Sequence, residues 1–164
     1  MATVTIHRTI DAPIEDVWEA LDDFGNVYTF HPHVASSHNL GDVERGTGAK
    51  RQCDLYAGGS IREVVLDSVP GRRQVVDIFD TGPFPLKKNV ATFDLESIDD
   101  DRTRVDAEMS FVPNYGPAGW VMAHVVMKRQ FRSLLEDVLE SLERHLQTGQ
   151  LIGEKGTLLG DAEY

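Results

Sequence analysis

The stretch from Pro117 to Gln147 constrains this chain most, because it reads as one amphipathic helix far longer than any element before it. Trp120, Met127, Phe131, Leu134, Leu135, Val138, Leu142 and Leu146 recur at steps of three, four and seven, a spacing that puts them on one helix face. Gly116 and Pro117 supply a start, with Pro where a missing N–H does no harm. Arg144 and His145 sit in the last turn, where cations suit the helix dipole, and Gly149 supplies a stop. At about 1.5 Å per residue the helix spans roughly 45 Å, several times the mean length. Such a helix needs a curved sheet to lie against.

The preceding sequence provides one. Val4, Ile6 and Ile10 predict a first strand. Pro13 then opens a short helix with Glu15 and Asp16 in its first turn and Ile14, Val17, Trp18 and Leu21 as its stripe. Phe24-Gly25-Asn26 ends it, and a second short helix or turn over 27–30 leads to His31-Pro32-His33. From Val34 the period changes to two, predicting strands over 34–43, 48–56, 60–69, 73–80, 88–98 and 103–112, separated by Gly-, Pro- and Asp-rich turns. Tight turns join antiparallel strands only. The connection 80–86 differs: with Pro83, Phe84 and Pro85 it is a shaped loop. The expected fold is α+β, a seven-stranded curved antiparallel sheet holding the long C-terminal helix, with two short helices between the first two strands. Residues 1–148 are read as one domain and 149–164 as a loosely ordered tail. One helix cannot fill the concavity of such a sheet, and the gap is a natural apolar pocket.

Composition narrows the partners. The net charge of −11 argues against nucleic acid, which needs a basic footprint, and by the same reasoning against anionic membranes. The acidity itself fits either solubility or a high-salt habitat. No run approaches the roughly 18 apolar residues of a membrane span. The N-terminus alternates like a strand, without a basic region before an apolar block, so no signal peptide is expected. The lone Cys53 excludes an internal disulfide and fits a cytoplasmic, reducing compartment. No cofactor motif is found: Gly46-Thr47-Gly48 lacks the rest of a nucleotide fingerprint, and Asp99-Asp100-Asp101 lacks EF-hand spacing.

Four segments carry a family resemblance: Ala12-Pro13-Ile14-Glu15-Asp16-Val17-Trp18, Phe24-Gly25-Asn26 with Phe30-His31-Pro32 and Val34, Gly46-Thr47-Gly48-Ala49-Lys50-Arg51, and Ile61-Arg62-Glu63 with the turn at Pro70. With the long final helix, their order resembles the START-like (SRPBCC) helix-grip superfamily, and within it the polyketide cyclase/dehydrase-type group, over about residues 2–148. The resemblance implies a helix-grip fold with a deep internal cavity. It does not imply one activity, since members of that superfamily bind lipids, sterols, polyketides or plant hormones, and some catalyse cyclisation or dehydration.

The candidate residues follow. Arg51 and Glu63 flank a hairpin centred near Gly58 and face inward together if Ala49 and Cys53 do. Such a pair holds an anionic or carbonyl group, or positions a proton donor; the alternative is a structural ion pair, or surface charges if the register slips by one. His31 and His33 lie at the exit of the second short helix, which the resemblance places near the pocket entrance. His-x-His is half a metal site, but zinc needs three or four ligands and only His38 is near in sequence, so no metal is assigned. In a catalytic reading Arg51 orients a carbonyl and either Glu63 or His31 moves protons. For ligand contact the candidates are Trp18, Tyr28, Phe30, Tyr56, Phe79, Phe93, Met109, Phe111, Trp120, His124, Met127 and Phe131, with Tyr115 as a further phenol. Their aromatic and thioether surface suits planar or greasy molecules. Trp120, His124, Met127 and Phe131 are expected to line the mouth, with the leucines beyond them only packing. The expected function is binding of a small hydrophobic or aromatic, lipid- or polyketide-like ligand. The alternative is a cyclase or dehydratase acting on a carbonyl compound in the same cavity. Pairing into a homodimer is left open.

Overall fold

A computed structural model describes residues 2–114 and 116–161, with the side chains of 118, 119, 122, 123, 160 and 161 excepted; Tyr115 thus lies outside the described residues. β1 (Ala2–Ile10) buries Ala2, Val4, Ile6 and Ile10 on one face, the period-two pattern of a strand with one side in the core. After Pro13 the chain forms α1 (Ile14–Asp22), burying Val17 and Leu21. The helix ends at Asp22, with Asp23 as its cap, and a 3₁₀ segment, Phe24–Thr29, follows at once, so Phe24-Gly25-Asn26 opens the second short helix rather than ending the first.

A meander of β2 (Val34–Leu40), β3 (Lys50–Leu55), β4 (Ser60–Val69), β5 (Arg73–Asp80), β6 (Leu86–Asp99) and β7 (Arg102–Pro113) completes the sheet. Its order is β1-β7-β6-β5-β4-β3-β2, and all its pairings are antiparallel. β1 pairs with β7 along its whole length, from Ala2 opposite Phe111 to Ile10 opposite Thr103. The two short helices carry the chain from β1, at one edge, to β2, at the other. The register shifts once in the β2–β3 ladder and twice in the β4–β5 ladder. Irregularities of this kind bend a strand and increase its twist, which curves the sheet toward the helix.

α2 (Pro117–Thr148) lies in that curve and ends at Gly149, whose φ of 70° is the left-handed cap conformation, its N–H bonded to the His145 carbonyl at 2.8 Å. Leu135, Val138, Leu139 and Leu142 are buried against the sheet. Glu143 fixes this half to β1: one carboxylate oxygen accepts from Arg8 and the other from the Asp11 N–H, each at 2.8 Å. Beyond the helix, where the sequence pattern suggests a loose tail, β8 (Gln150–Ile152) and β9 (Leu158–Asp161) form a hairpin. Ile152 is buried, Arg144 donates to the Gly156 carbonyl at 2.8 Å, and the Lys155 N–H donates to the Pro32 carbonyl at 3.1 Å. An apolar anchor and two hydrogen bonds hold what composition alone marks as free.

Candidate functional site

Between the sheet and α2 lies a cavity of about 1170 Å³. Its floor is the inward face of three strands: Ile61 and Glu63 from β4, Gln74, Val76 and Ile78 from β5, and Asn89, Ala91 and Phe93 from β6. Met109 of β7 continues that floor, and Met127, Phe131, Leu134, Leu135 and Val138 of α2 close it from above. Leu21, Val27, Phe30 and Val34 wall one end. Several lining residues are also solvent-exposed, namely Ala57, Phe84, Val126, Arg129, Gln130, Ser133, Glu154 and Lys155. They mark a mouth framed by the β3–β4 turn, the 81–85 loop and the outer side of α2. Gly82 shapes that loop: its φ of 53° favours glycine, and a Cβ there would strike the Ser60 carbonyl oxygen.

The wall is apolar except for one polar end. Arg51 and Glu63 stand opposite each other on β3 and β4, both side chains nearly buried, with Arg51 Nε donating to Glu63 Oε2. Arg51 Nη1 also donates to the Phe24 carbonyl at 3.0 Å, and its guanidinium lies 3.8 Å above the Phe24 ring centroid. The pair therefore pins the 3₁₀ segment to the sheet while lining the cavity. The buried Cys53 thiol donates weakly to the same Glu63 oxygen at 3.8 Å. Burial first, and then the neighbouring carboxylates against the opposing effect of Arg51, push its pKa up to about 12, so it stays protonated and is no nucleophile at neutral pH.

His31 sits above this pair. Its Nδ1 accepts the His33 N–H at 3.1 Å, which leaves the proton on Nε2, free of protein partners among the described residues. Burial holds its pKa down to about 3, helped by the charge of Arg51 and then by His33. The ring is neutral at physiological pH and offers the cavity an N–H donor. His33 lies edge-on to it at 5.9 Å and reaches Asp137 of α2 at 3.4 Å.

Two further polar groups are invisible to the sequence reading. Gln74 is buried and donates to the Leu21 carbonyl at 3.0 Å. Asn89 is buried, lines the cavity, and its Oδ1 finds no hydrogen-bond partner among the described residues. A buried acceptor without a partner is rare in folded proteins, and this one belongs to a residue that lines the cavity.

Of the sequence candidates, Arg51, Glu63 and His31 come together, and Phe30, Tyr56, Phe93, Met109, Met127 and Phe131 line the cavity. The others do not line it. Trp18 and Tyr28 pack on the outside of the core cluster. Phe79 alternates to the outer face of β5, 48% exposed. Phe111 faces inward but is covered by Phe131, with ring centroids 4.7 Å apart. Trp120 and His124 stack on each other at 4.7 Å, near Phe111 and off the cavity. The mouth lies on the neighbouring helix face, at Val126, Arg129, Gln130 and Ser133, and Leu134, Leu135 and Val138 line the interior rather than only pack.

An antiparallel sheet wrapped around a long C-terminal helix, with an apolar cavity between them, defines a helix-grip protein. The chain belongs to the polyketide cyclase/dehydrase and lipid transport family, whose profile matches residues 1–147. Among solved structures it is similar to the XoxI protein of Bacillus cereus, at 21% identity over 90% of this chain and 97% of that one, with a TM-score of 0.75. It is also similar to a START superfamily protein of Mycobacterium smegmatis, at 15% identity over 90% and 98% with a TM-score of 0.72. The ZhuI aromatase/cyclase of Streptomyces sp. R1128 matches at 20% identity over 90% and 96%, with a TM-score of 0.68. At these identities the likeness establishes the fold. No curated protein matches the chain in sequence. Among the described residues no helix is long and apolar enough to cross a membrane.

Proposed function

We propose that this protein binds a small hydrophobic molecule in the cavity beneath α2, its polar atoms directed at His31 and at Asn89. The observation that carries this reading is a chamber of about 1170 Å³, in the range of small-molecule sites, whose apolar wall is interrupted by a few fixed polar groups. The neutral His31 donates to a ligand carbonyl or ether. Asn89 Oδ1 accepts from a ligand hydroxyl. Arg51 and Glu63 neutralise each other and leave the inner end of the chamber without a free charge, Arg129 and Lys155 lying at its exposed rim, so the fitting ligand is uncharged where it is enclosed, largely apolar, and bears keto and hydroxyl groups.

Native mass spectrometry against a library of acyl, sterol-like and polyphenolic compounds tests this. Retention of hydroxylated apolar compounds is expected, with Asn89→Leu weakening them about tenfold, the value of one hydrogen bond, and sparing analogues without the hydroxyl. If no compound is retained, or if Asn89→Leu weakens both sets equally, the assignment fails.

A second reading, a cyclase or dehydratase working on a carbonyl compound in the same chamber, draws on the polar end. With a pKa of about 3, His31 is too weak a base for proton abstraction at neutral pH. Its role would be to polarise a carbonyl through Nε2–H. Incubation with a poly-β-ketone thioester distinguishes the readings. Turnover lost in His31→Asn supports catalysis, and a compound bound and recovered unchanged supports binding alone.

A further inference from the structure

The chain is acidic, and Asp137 and Glu154 border the cavity, but two stretches beside the mouth carry no acidic residue. Residues 81–93, which include the mouth loop, contain Lys87 and Lys88 and no Asp or Glu. Residues 116–135, which include the mouth side of α2, contain Lys128, Arg129 and Arg132 and again no Asp or Glu. None of these five cations takes part in the ion pairs found among the described residues. The same region carries the helix's exposed apolar residues. Val121 is 62% exposed and Val125 64%, with Trp120 and Val126 beside them, and Phe84 stands exposed on the loop across the mouth. Val121, Val125, Lys128 and Arg132 follow one another at steps of four, three and four, and so share one stripe of α2. Net charge, the basis for dismissing anionic membranes, averages away this local field.

We propose that this face docks on an anionic lipid surface, with the valines and Phe84 entering the headgroup boundary and Lys128, Arg129 and Arg132 lying over the phosphates, so that the mouth lies beside the bilayer. Exposed apolar side chains together with Lys and Arg on one helix are the composition of an interfacial segment. Tryptophan is the side chain favoured at that depth, and basic residues beside it respond to the negative surface potential. The stripe adjoins the entrance, with Val125 next to Val126 and Lys128 next to Arg129 of the mouth, and this ties docking to ligand entry and exit. In that respect the inference rests on the cavity reading above.

Vesicle flotation tests it with the full chain. Vesicles of phosphatidylcholine are compared with vesicles containing roughly one-third phosphatidylglycerol, at salt from about 0.05 to 0.5 M. Binding to the anionic vesicles only, falling with salt, is expected. Lys128→Glu with Arg132→Glu, and separately Val121→Ser with Val125→Ser, should each lower it tenfold or more. Neither pair lines the cavity, so both variants should retain uptake of an apolar fluorescent probe in vesicle-free solution. Circular dichroism confirms that they fold. Vesicle binding that is absent, or indifferent to lipid charge and to these substitutions, overturns the proposal. Probe uptake that persists in that case leaves the cavity reading standing. Capture of soluble poly-glutamate without capture of anionic vesicles would make the face a protein-docking surface, and would also overturn it.

Discussion

At the scale of single residues, the polar end of the cavity is held by one arginine. Arg51 spends its Nε on Glu63, its Nη1 on the Phe24 carbonyl and its face on the Phe24 ring. Its charge, with burial, holds His31 neutral. That shift makes stability depend on pH. Above pH 6.5 His31 is neutral whether the chain is folded or not, and it contributes nothing. As pH falls from 6.5 toward about 3, the unfolded chain takes up a proton that the folded chain refuses, so stability falls by at most about 1.4 kcal/mol per pH unit. Urea unfolding at pH 7.0, 6.0 and 5.0 should show this decline. His31→Asn, which keeps an acceptor near the His33 N–H, should flatten it over that window. An unchanged slope in the variant would mean that His31 protonates freely in the fold. Arg51 and Glu63 were readable from sequence because counting outward from the glycine turn places them opposite each other. Gln74 and Asn89 were not, because a lone polar residue on a strand looks the same on either face until the register is known. Phe79 misleads for the opposite reason: its aromatic ring suggests a ligand contact, while the alternation of Gln74, Val76 and Ile78 turns it outward.

At the scale of elements, α2 does two different jobs along its length. Its C-terminal half is a core element, with Leu139 and Leu142 fully buried and Glu143 tied to β1. Its N-terminal half covers a space and presents valines to solvent. Leu142→Ala should therefore cost about 2–5 kcal/mol, the range for an emptied core leucine, while Val125→Ser should change stability by less than about 0.5 kcal/mol. Denaturant midpoints at a fixed slope measure both, and equal losses would contradict this division of the helix. The sequence periodicity finds the helix, its ends and most of its inward stripe, because many apolar residues repeat in phase over its length; it includes Trp120, which is exposed, and omits Leu139, which is fully buried. The same method fails on the terminal hairpin, whose strands of three and four residues are shorter than any window in which a period can be recognised. What holds that hairpin is Ile152 in the core and backbone bonds to distant residues, and neither leaves a local pattern.

At the scale of the whole molecule, the sheet and helix are joined well enough at their far end to leave the near end hollow. Burial of Leu135, Leu139, Leu142 and the β1 face stabilises the fold without help from a ligand. The chamber is therefore a place where volume can be added without breaking the structure. Ala91 is the position to fill. It lies midway along β6, opposite Val76 of β5 and Met109 of β7, and its side chain faces the cavity. Ala91→Phe projects a ring into empty space, so thermal stability should hold or rise. A bound molecule stabilises only the state that holds it, so the rise in Tm produced by a retained ligand in the parent chain should shrink or vanish in Ala91→Phe. Affinity should fall at least tenfold, since the ring takes space the ligand needs. A variant that folds, keeps its Tm and binds as tightly as the parent would move the ligand out of this chamber and onto the surface. A variant that loses both stability and binding would mean that the space is narrower than its walls indicate, and repeating the test with Ala91→Leu, a smaller filling, then separates overpacking from blocked entry.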